Sequence, residues 1–394
     1  MKKRMQFIYI GATVLCLLSS TTQAQSSVSL YGILDEGVMF TNNVGGPTGG
    51  KRIALDSLSG INGSRWGFTG SEDLGGGLKA VFTMESGINV NNGAAGQGGT
   101  AFGRQVFVGL NSGRYGSLTL GRQYDMIFYF PEPITAAGIG SAIFVHPGDL
   151  DNTGNTVRVN NAVRYMSPTL GGFSFGGEYS VGGVPGNTTA NSGYSLGAGY
   201  ANGPFKVAAA FEYFKNPTSA TAGSGFFTNN ANGASVLAGS LNKGYVTATA
   251  YQVAVVAASY ALGPLTLMGS GSNIQYANLG VGFADHTARF NNVDFGAQYA
   301  ISPSLFLSGA YNYLIGKGVE TASGSTVGNQ HYHQVAAMID YFLSKRTDVY
   351  LGAGWQKASG TSSTGAAAVA AFANLGDSSN NHQFLVRAAL RHKF

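Results

Sequence analysis

The sequence predicts an all-β protein, a sixteen-stranded antiparallel transmembrane β-barrel, and three observations predict it: composition, alternation and the spacing of connectors. Glycine supplies 60 of the 394 residues, about twice its usual share. Only 10% of residues are charged, while 12% are aromatic, with 24 Phe and 20 Tyr. That mixture is too apolar for disorder and has neither the triplet period nor the proline of collagen. It is also too rich in glycine and too poor in charge for a large helical enzyme.

Alternation is clearest at the C-terminus. Phe384, Val386, Ala388, Leu390, His392 and Phe394 share one parity, and Arg387, Arg391 and Lys393 share the other. A side-chain period of two gives one apolar and one basic face. Val293, Phe295, Ala297, Tyr299 and Ile301 oppose Asp294 and Gln298 in the same way, as do Val349, Leu351, Ala353 and Trp355 against Asp348, Tyr350 and Gln356. Sixteen such segments follow one another. Eight long connectors, near 39–61, 88–102, 125–156, 183–192, 215–248, 275–289, 316–330 and 358–382, alternate with seven tight links at 71–76, 111–114, 167–171, 201–204, 261–264, 301–304 and 343–346. Gly, Pro, Asn and Ser in the tight links supply the dihedral angles that turns require. Long loops at one end, short turns and both termini at the other, and an even strand count describe a bacterial outer-membrane barrel.

A soluble sandwich would bury the apolar parity between two sheets. The charges on the second parity demand solvent there, segments of about ten residues suit a tilted strand crossing a bilayer, and aromatics such as Tyr165, Tyr299, Tyr311, Tyr313, Tyr341 and Trp355 cluster near segment ends like interfacial girdles. Tyr245 to Ala284 has no Asp, Glu, Lys or Arg, which a hydropathy scan reads as a membrane helix. Gly263-Pro264 cuts it in two, so two uncharged strands joined by a turn are expected instead.

The N-terminus has the form of a secretory signal peptide over residues 1–24: Met-Lys-Lys-Arg, an apolar run from Phe7 to Leu18, and cleavage expected after Ala24. The barrel is expected over 25–394. Cys16 lies within the leader and follows Leu15, not the small residue of a lipoprotein signal, so the mature chain carries no disulfide. Without Lys2, Lys3 and Arg4, the 23 basic residues become 20 against 18 acidic ones, and the formal charge falls from +5 to +2. Nucleic-acid binding loses most of its support.

Ser27-Val28-Ser29-Leu30-Tyr31-Gly32, the run from Gly63-Ser64-Arg65-Trp66-Gly67-Phe68 to Leu78-Lys79-Ala80, Gly116-Ser117-Leu118-Thr119-Leu120-Gly121-Arg122-Gln123 and Asn160-Asn161-Ala162-Val163-Arg164-Tyr165 resemble segments of the Gram-negative general porins of β-proteobacterial type. The resemblance covers the whole mature chain. It implies a barrel whose third loop folds inward, a homotrimer in the outer membrane amid lipid and lipopolysaccharide, and passive diffusion of small hydrophilic solutes. It also implies that Phe394 is the terminal aromatic read by the outer-membrane assembly machinery.

A barrel of this size is too wide for its own side chains to fill, so water remains inside. The connector 125–156 is the long third loop, and in the family such a loop narrows the bore. Here it carries Glu132, Asp149 and Asp151. Opposite it the family places basic residues on the wall. By parity Arg65, Arg158 and Arg164 should face the lumen, and Arg104 and Arg122 lie at strand ends. Acids facing arginines would set a transverse field, and the excess of arginine predicts weak anion preference. The alternative is a substrate-selective channel, in which Phe128, Tyr129, Phe130 and Phe144 stack on a solute instead of pinning the loop to the wall.

Other motifs carry less. Gly45 to Arg52 reads GGPTGGKR, but Arg52 replaces the Ser or Thr of a phosphate loop. Asp149, Asp151, Thr153 and Gly154 imitate the start of a calcium loop whose twelfth position is Asn160 instead of glutamate, so no cofactor is expected beyond a weak Ca2+ site between Asp149 and Asp151. His331 and His333 read as a rim pair and not as metal ligands. A barrel hydrolase would need a histidine on the lipid parity at mid-membrane. Only His392 shares that parity, near the chain end.

Overall fold

A computed structural model describes residues 26–45, 49–140, 142–216 and 237–394. The expected leader, 1–24, lies outside them. Alternating apolar and polar side chains make each segment a strand with one face for lipid and one for water. In chain order these are β1 (Ser27–Thr41), β2 (Arg52–Asp56), β3 (Arg65–Gly75), β4 (Leu78–Gly87), β5 (Gln105–Ser112), β6 (Gly116–Gln123), β7 (Val159–Met166), β8 (Phe173–Ser180), β9 (Gly193–Asn202), β10 (Phe205–Lys215), β11 (Ala250–Leu262), β12 (Leu265–Ala277), β13 (Thr287–Ser302) and β14 (Leu305–Gly316). A small hairpin, β15 (Val319–Glu320) and β16 (Thr326–Val327), precedes β17 (Gln330–Phe342), β18 (Thr347–Gly360) and β19 (His382–Lys393).

Neighbouring strands pair antiparallel, and β1 closes the sheet on β19, with Ile33 opposite Lys393 and Thr41 opposite Leu385. Counting β2 and β3 as one interrupted strand, sixteen strands form the closed barrel. The interruption departs from the expected long loop at 39–61. Arg52–Asp56 returns to pair with Gly37–Thr41, while β3 pairs with Ser27–Ile33. Between them 57–64 turns inward, so what reads as loop is partly wall. The loop composition of Ser57 to Ser64 hides this, because Ser, Gly and Asn satisfy a surface loop and an inward turn equally well.

The apolar parity faces outward: Val28, Leu30, Val38, Val108, Phe295 and Leu390 are all exposed. The uncharged stretch is β11 and β12 joined at Gly263, whose φ of 57° suits the tight turn. Among the described residues no helix is long and apolar enough to cross a membrane. The charged parity faces inward, but not into open water throughout. Arg387 and Arg391 are 1% and 4% exposed, which corrects the expectation of solvent around them. Arg387 donates to Asp35 Oδ1 at 2.9 Å, to Asp56 Oδ1 at 3.2 Å and to the Asp56 carbonyl at 2.6 Å, and it also bonds the Tyr350 hydroxyl. Arg391 donates to Asp348 Oδ1 at 3.0 Å and Asn62 Oδ1 at 2.6 Å. Asn62 belongs to the inward turn, so that turn covers the arginines and supplies part of their partners.

The densest packing is therefore not between sheets but between inner wall and infolded loops, where Met126, Ile127, Phe214, Tyr245, Tyr276, Phe290 and Tyr332 are buried. Closure rests on a close approach at Gly32. Its N–H donates to the Phe394 carbonyl at 3.1 Å, and the Phe394 N–H returns to the Gly32 carbonyl at 3.0 Å. A Cβ at Gly32 would stand 2.3 Å from the Phe394 ring and 2.7 Å from the Arg65 carbonyl. We therefore expect Gly32→Val to destabilise the seam by about 1–3 kcal/mol. The temperature at which the folded band converts to the unfolded one on a semi-native gel should fall, and an unchanged temperature would show that the seam yields without cost.

Candidate functional site: the constricted lumen

The segment 124–158 leaves β6, enters the lumen and returns to β7. Its first turn is fixed by Asp125, whose Oδ1 accepts the N–H groups of Ile127 at 2.7 Å and Phe128 at 3.1 Å. Asp125 has the short polar side chain suited to this capping position. Asn152 joins the two ends of the segment by donating to Asp125 and accepting the Val157 N–H at 2.7 Å.

Further bonds lash the loop to one side of the barrel. Met126 N–H donates to Ser195 Oγ on β9 at 3.0 Å, the Tyr251 hydroxyl on β11 to the Leu150 carbonyl at 2.6 Å, and Ala136 N–H to Asp294 Oδ2 on β13 at 3.0 Å. Gln334 on β17 donates to the carbonyls of Ile143 at 2.8 Å and Val145 at 2.7 Å. Phe130 and Phe144 are pinned, 8% and 2% exposed, with Phe130 packed where Gly197 and Gly199 leave room. Phe128 and Tyr129 instead line the remaining cavity. The aromatics thus divide between the two roles that the sequence left open.

The central anchor is His146. Its Nδ1 lies 2.7 Å from Asp151 Oδ2, and its Nε2 lies 3.6 Å from Asp294 Oδ2. Asp151 also accepts from Ser272 Oγ on β12 at 2.5 Å and from Thr153 Oγ1 at 2.9 Å. Burial alone would disfavour the imidazolium, but Asp151 and then Asp294 outweigh it and raise His146 to about 10. Burial likewise opposes the Asp151 charge, yet His146 and these hydrogen bonds lower the group to about 2.

The three loop acids expected at the constriction, Glu132, Asp149 and Asp151, do not act alike. Asp151 is committed to the anchor. Asp149 accepts the N–H groups of Gly154 at 2.7 Å and Thr156 at 3.0 Å and the Thr156 hydroxyl at 2.6 Å. Burial, with Asp151 nearby, raises Asp149 to about 7. Glu132 lines the cavity but is raised well above the ordinary range by burial and then by Asp125 and Asp149. At the weak Ca2+ site expected between Asp149 and Asp151 both carboxylates already accept hydrogen bonds, Asp149 from the loop and Asp151 from the loop and from Ser272 on β12. Among the described residues no group of three or more His, Cys, Asp or Glu side chains is placed to hold a metal.

The opposite wall is basic. A cavity of about 1000 Å3 is lined by Arg65, Arg104 and Arg158 as well as by the loop. Glu85 stands among them, accepting Arg104 Nε and the Tyr124 hydroxyl, each at 2.8 Å, and the Tyr31 hydroxyl at 3.0 Å, with Arg65 Nε 3.7 Å away. The guanidinium groups of Arg158 and Arg104 lie 5.6 and 5.9 Å from the centre of the Tyr124 ring. Burial, and next the charge of Arg104, lower Arg158 to about 10.

The remaining two arginines are held elsewhere. Arg122 donates to the Gly103 carbonyl at 2.8 Å and to Asn160 Oδ1 at 2.6 Å. Arg164 stacks on Tyr129 at 4.5 Å, donates to its hydroxyl at 2.6 Å, and lines a second pocket of about 320 Å3 with Thr119 and Asn111. Parity finds the inward direction of Arg65 and Arg164. It also puts Asp294 on the inward face, but not beside His146, and it does not reveal Glu85, Tyr124 or His146.

Two outer loops complete the narrowing. Ser240 N–H donates to Asp377 Oδ2 at 2.8 Å, and Gly148 N–H donates to the Ala371 carbonyl at 3.0 Å. Segments 237–249 and 361–381 therefore lie over the third loop. The many alanines from Ala366 to Ala373 give no period to announce this.

A barrel of this strand count, crossed by a loop from its third hairpin, has close relatives by sequence. A family profile described as Gram-negative porin matches residues 11–361. The chain belongs to the Gram-negative porin family. Similarity to an outer membrane porin of Bordetella pertussis is 37% identity over 228 residues, covering 52% of this chain and 58% of that protein. Outer membrane porin protein 32 of Delftia acidovorans is 36% identical over 200 residues, 48% of this chain and 54% of that protein. The matched stretches thus span little more than half of these two relatives. Major outer membrane protein P.IB of Neisseria meningitidis serogroup B aligns further, 26% identical over 362 residues, 86% of this chain and 91% of its own.

Among solved structures, an anion-selective porin from Comamonas acidovorans shares the fold with a TM-score of 0.68 at 24% identity, covering 94% of this chain and all of that one. OmpT of Vibrio cholerae follows with 0.62 at 14% identity, covering 94% and 98%, and one OmpT structure is a trimer. Membership places this porin in the outer membrane of a Gram-negative bacterium. Porins as a class are channels, not enzymes.

The anchor is expected to make loop position depend on pH. A group whose folded value lies above its ordinary 6.5 stabilises through its protonated form. The His146 contribution is complete below about pH 6.5 and fades as pH rises toward 10. Asp151 works in the opposite sense, present above 3.8 and lost as pH falls through about 2. We expect open-channel current noise to rise between pH 7 and 10 in the wild type. In His146→Ala the noise should be high throughout, since breaking a buried pair costs on the order of 3 kcal/mol. Equal noise in both proteins at pH 6 would remove His146 from loop attachment.

Proposed function

We propose that this porin forms a water-filled channel for passive diffusion of ions and small hydrophilic solutes, that it prefers anions, and that it works as a homotrimer. One observation carries the anion preference. The cavity wall holds Arg65, Arg104 and Arg158, with Glu85 shared between Arg104, Tyr124, Tyr31 and Arg65, while the facing loop keeps its acids engaged or close to neutral. The field at the narrowest point is therefore positive, and fixed charge at a constriction selects the sign of what passes. The trimeric form of OmpT supports the oligomer, and the anion selectivity of the Comamonas porin agrees with the sign read from the arginines.

A substrate-selective channel is the second reading. It is favoured by the half-buried Phe128 and Tyr129 on the same cavity, whose rings can stack on the flat face of a solute that its carboxylate brings to the arginines.

The reversal potential of the purified porin in a planar bilayer under a salt gradient tests the first reading. It should lie on the anion side. Arg65→Ala and Arg158→Ala should each lower the anion-to-cation permeability ratio by about twofold, as expected for one charge acting across roughly 8 Å of water. A cation-side potential in the wild type would reverse the assignment. A closed channel would remove it.

A further inference from the structure

His331 and His333, which the pore does not use, lie on the outer wall, which corrects the expectation that His392 alone among the histidines takes the lipid parity. They stand two residues apart at the long-loop end of β17, on the parity of the exposed Val335 and Ile339. Both rings pack on Tyr313 of β14, His333 at 4.6 Å between centroids and His331 at 6.3 Å. The Tyr311 hydroxyl is 2.7 Å from His333 Nδ1, and the Tyr313 hydroxyl is 3.3 Å from His331 Nδ1. A hydroxyl that donates to Nδ1 leaves the ring proton on Nε2, where it can be donated to an outside acceptor.

The register adds charge. His333 is opposite Lys357 on β18, and Lys357 is opposite His382 on β19. Directly opposed residues have Cβ atoms about 5 Å apart, so an ammonium group stands between two imidazoles. Lys357 and His382 are exposed, and no salt bridge among the described residues includes Lys357. One step nearer the barrel's middle, the neighbouring row is Tyr311, Val335, Trp355 and Phe384, all exposed. An apolar, aromatic row therefore gives way within one pleat to a row of nitrogen donors. That boundary falls at the long-loop end, which in outer-membrane barrels faces outside.

We propose that this row binds the phosphate of an outer-leaflet glycolipid headgroup, with the acyl chains running down over Val335, Trp355 and Ile339. Three nitrogen-bearing side chains side by side, with no acid on the outward positions of these strand ends, need an anion. The aromatic row below needs hydrocarbon, so a molecule carrying both fits better than a free ion. The inference rests on the outer-membrane location and not on the channel reading, and conductance serves as its independent control.

The test uses the full-length folded porin in detergent micelles, with lipid retention followed by native mass spectrometry and confirmed by titration. The probes are bis-phosphorylated lipid A, the same lipid with its phosphates removed, and inorganic phosphate. Lys357→Gln and the double substitution His331→Gln, His333→Gln should each weaken binding of the phosphorylated lipid by about tenfold, the scale of one lost charge-assisted hydrogen bond. Lys345→Gln, in the short turn at the opposite end, should bind like the wild type, and all variants should keep wild-type conductance and compact gel mobility. Unchanged affinity in the row variants would overturn the proposal. So would equal binding of the dephosphorylated lipid, or displacement of the lipid by an equal concentration of inorganic phosphate. A change of oligomeric state with lipid retention intact would assign the row to a second copy of the chain and overturn it equally.

Discussion

Everything in this molecule follows from a backbone that must pair all its polar groups in hydrocarbon. An open sheet edge there would leave a row of N–H and C=O groups unsatisfied at several kcal/mol each, so β1 must meet β19. The seam is made at Gly32 and Phe394 because only a residue without a side chain lets the last ring lie against the first strand. Once the sheet is closed, the period of two leaves no freedom. One parity meets lipid, and every charge on the other parity is delivered to the interior.

Delivery to the interior creates the second problem, how to keep so many charges in a confined space. The structure answers it in two ways. Along β19 the arginines are neutralised locally: Arg387 by Asp35 and Asp56, and Arg391 by Asp348. Around the cavity they are not matched one for one. Arg65 and Arg104 share Glu85, and Arg158 stands over Tyr124 beside Arg104. The difference lies in what covers them. The inward turn at 57–64 supplies partners to the first group, whereas the third loop turns Asp149 toward itself and Asp151 toward His146.

The third loop also shows why long loops that fold inward need polar anchors. Its apolar side, with Met126, Phe130 and Phe144, fills space against a glycine-rich wall. Apolar contact alone does not set position along that wall. The His146, Asp151 and Asp294 cluster, with Gln334 and Tyr251, sets it by direction-specific bonds to four different strands.

The strands, their number, their outward and inward faces and the place of the turns were legible in the amino-acid order, because each depends on neighbours within about ten residues and on a single period. Arg65 and Arg164 could be aimed inward on that ground alone. The interruption between Asp56 and Arg65 was not legible, since inward and outward turns draw on the same small polar residues. Nor could sequence tell that Asp151 serves His146 while Asp149 serves Thr156: parity says which face a side chain takes, not which partner from a remote strand will be there. Local order determined the barrel and the sign of its two faces. Tertiary structure alone decided which interior charges cancel and which remain to act on a solute, because Coulomb interactions and hydrogen bonds depend on distances that only closure and loop infolding establish.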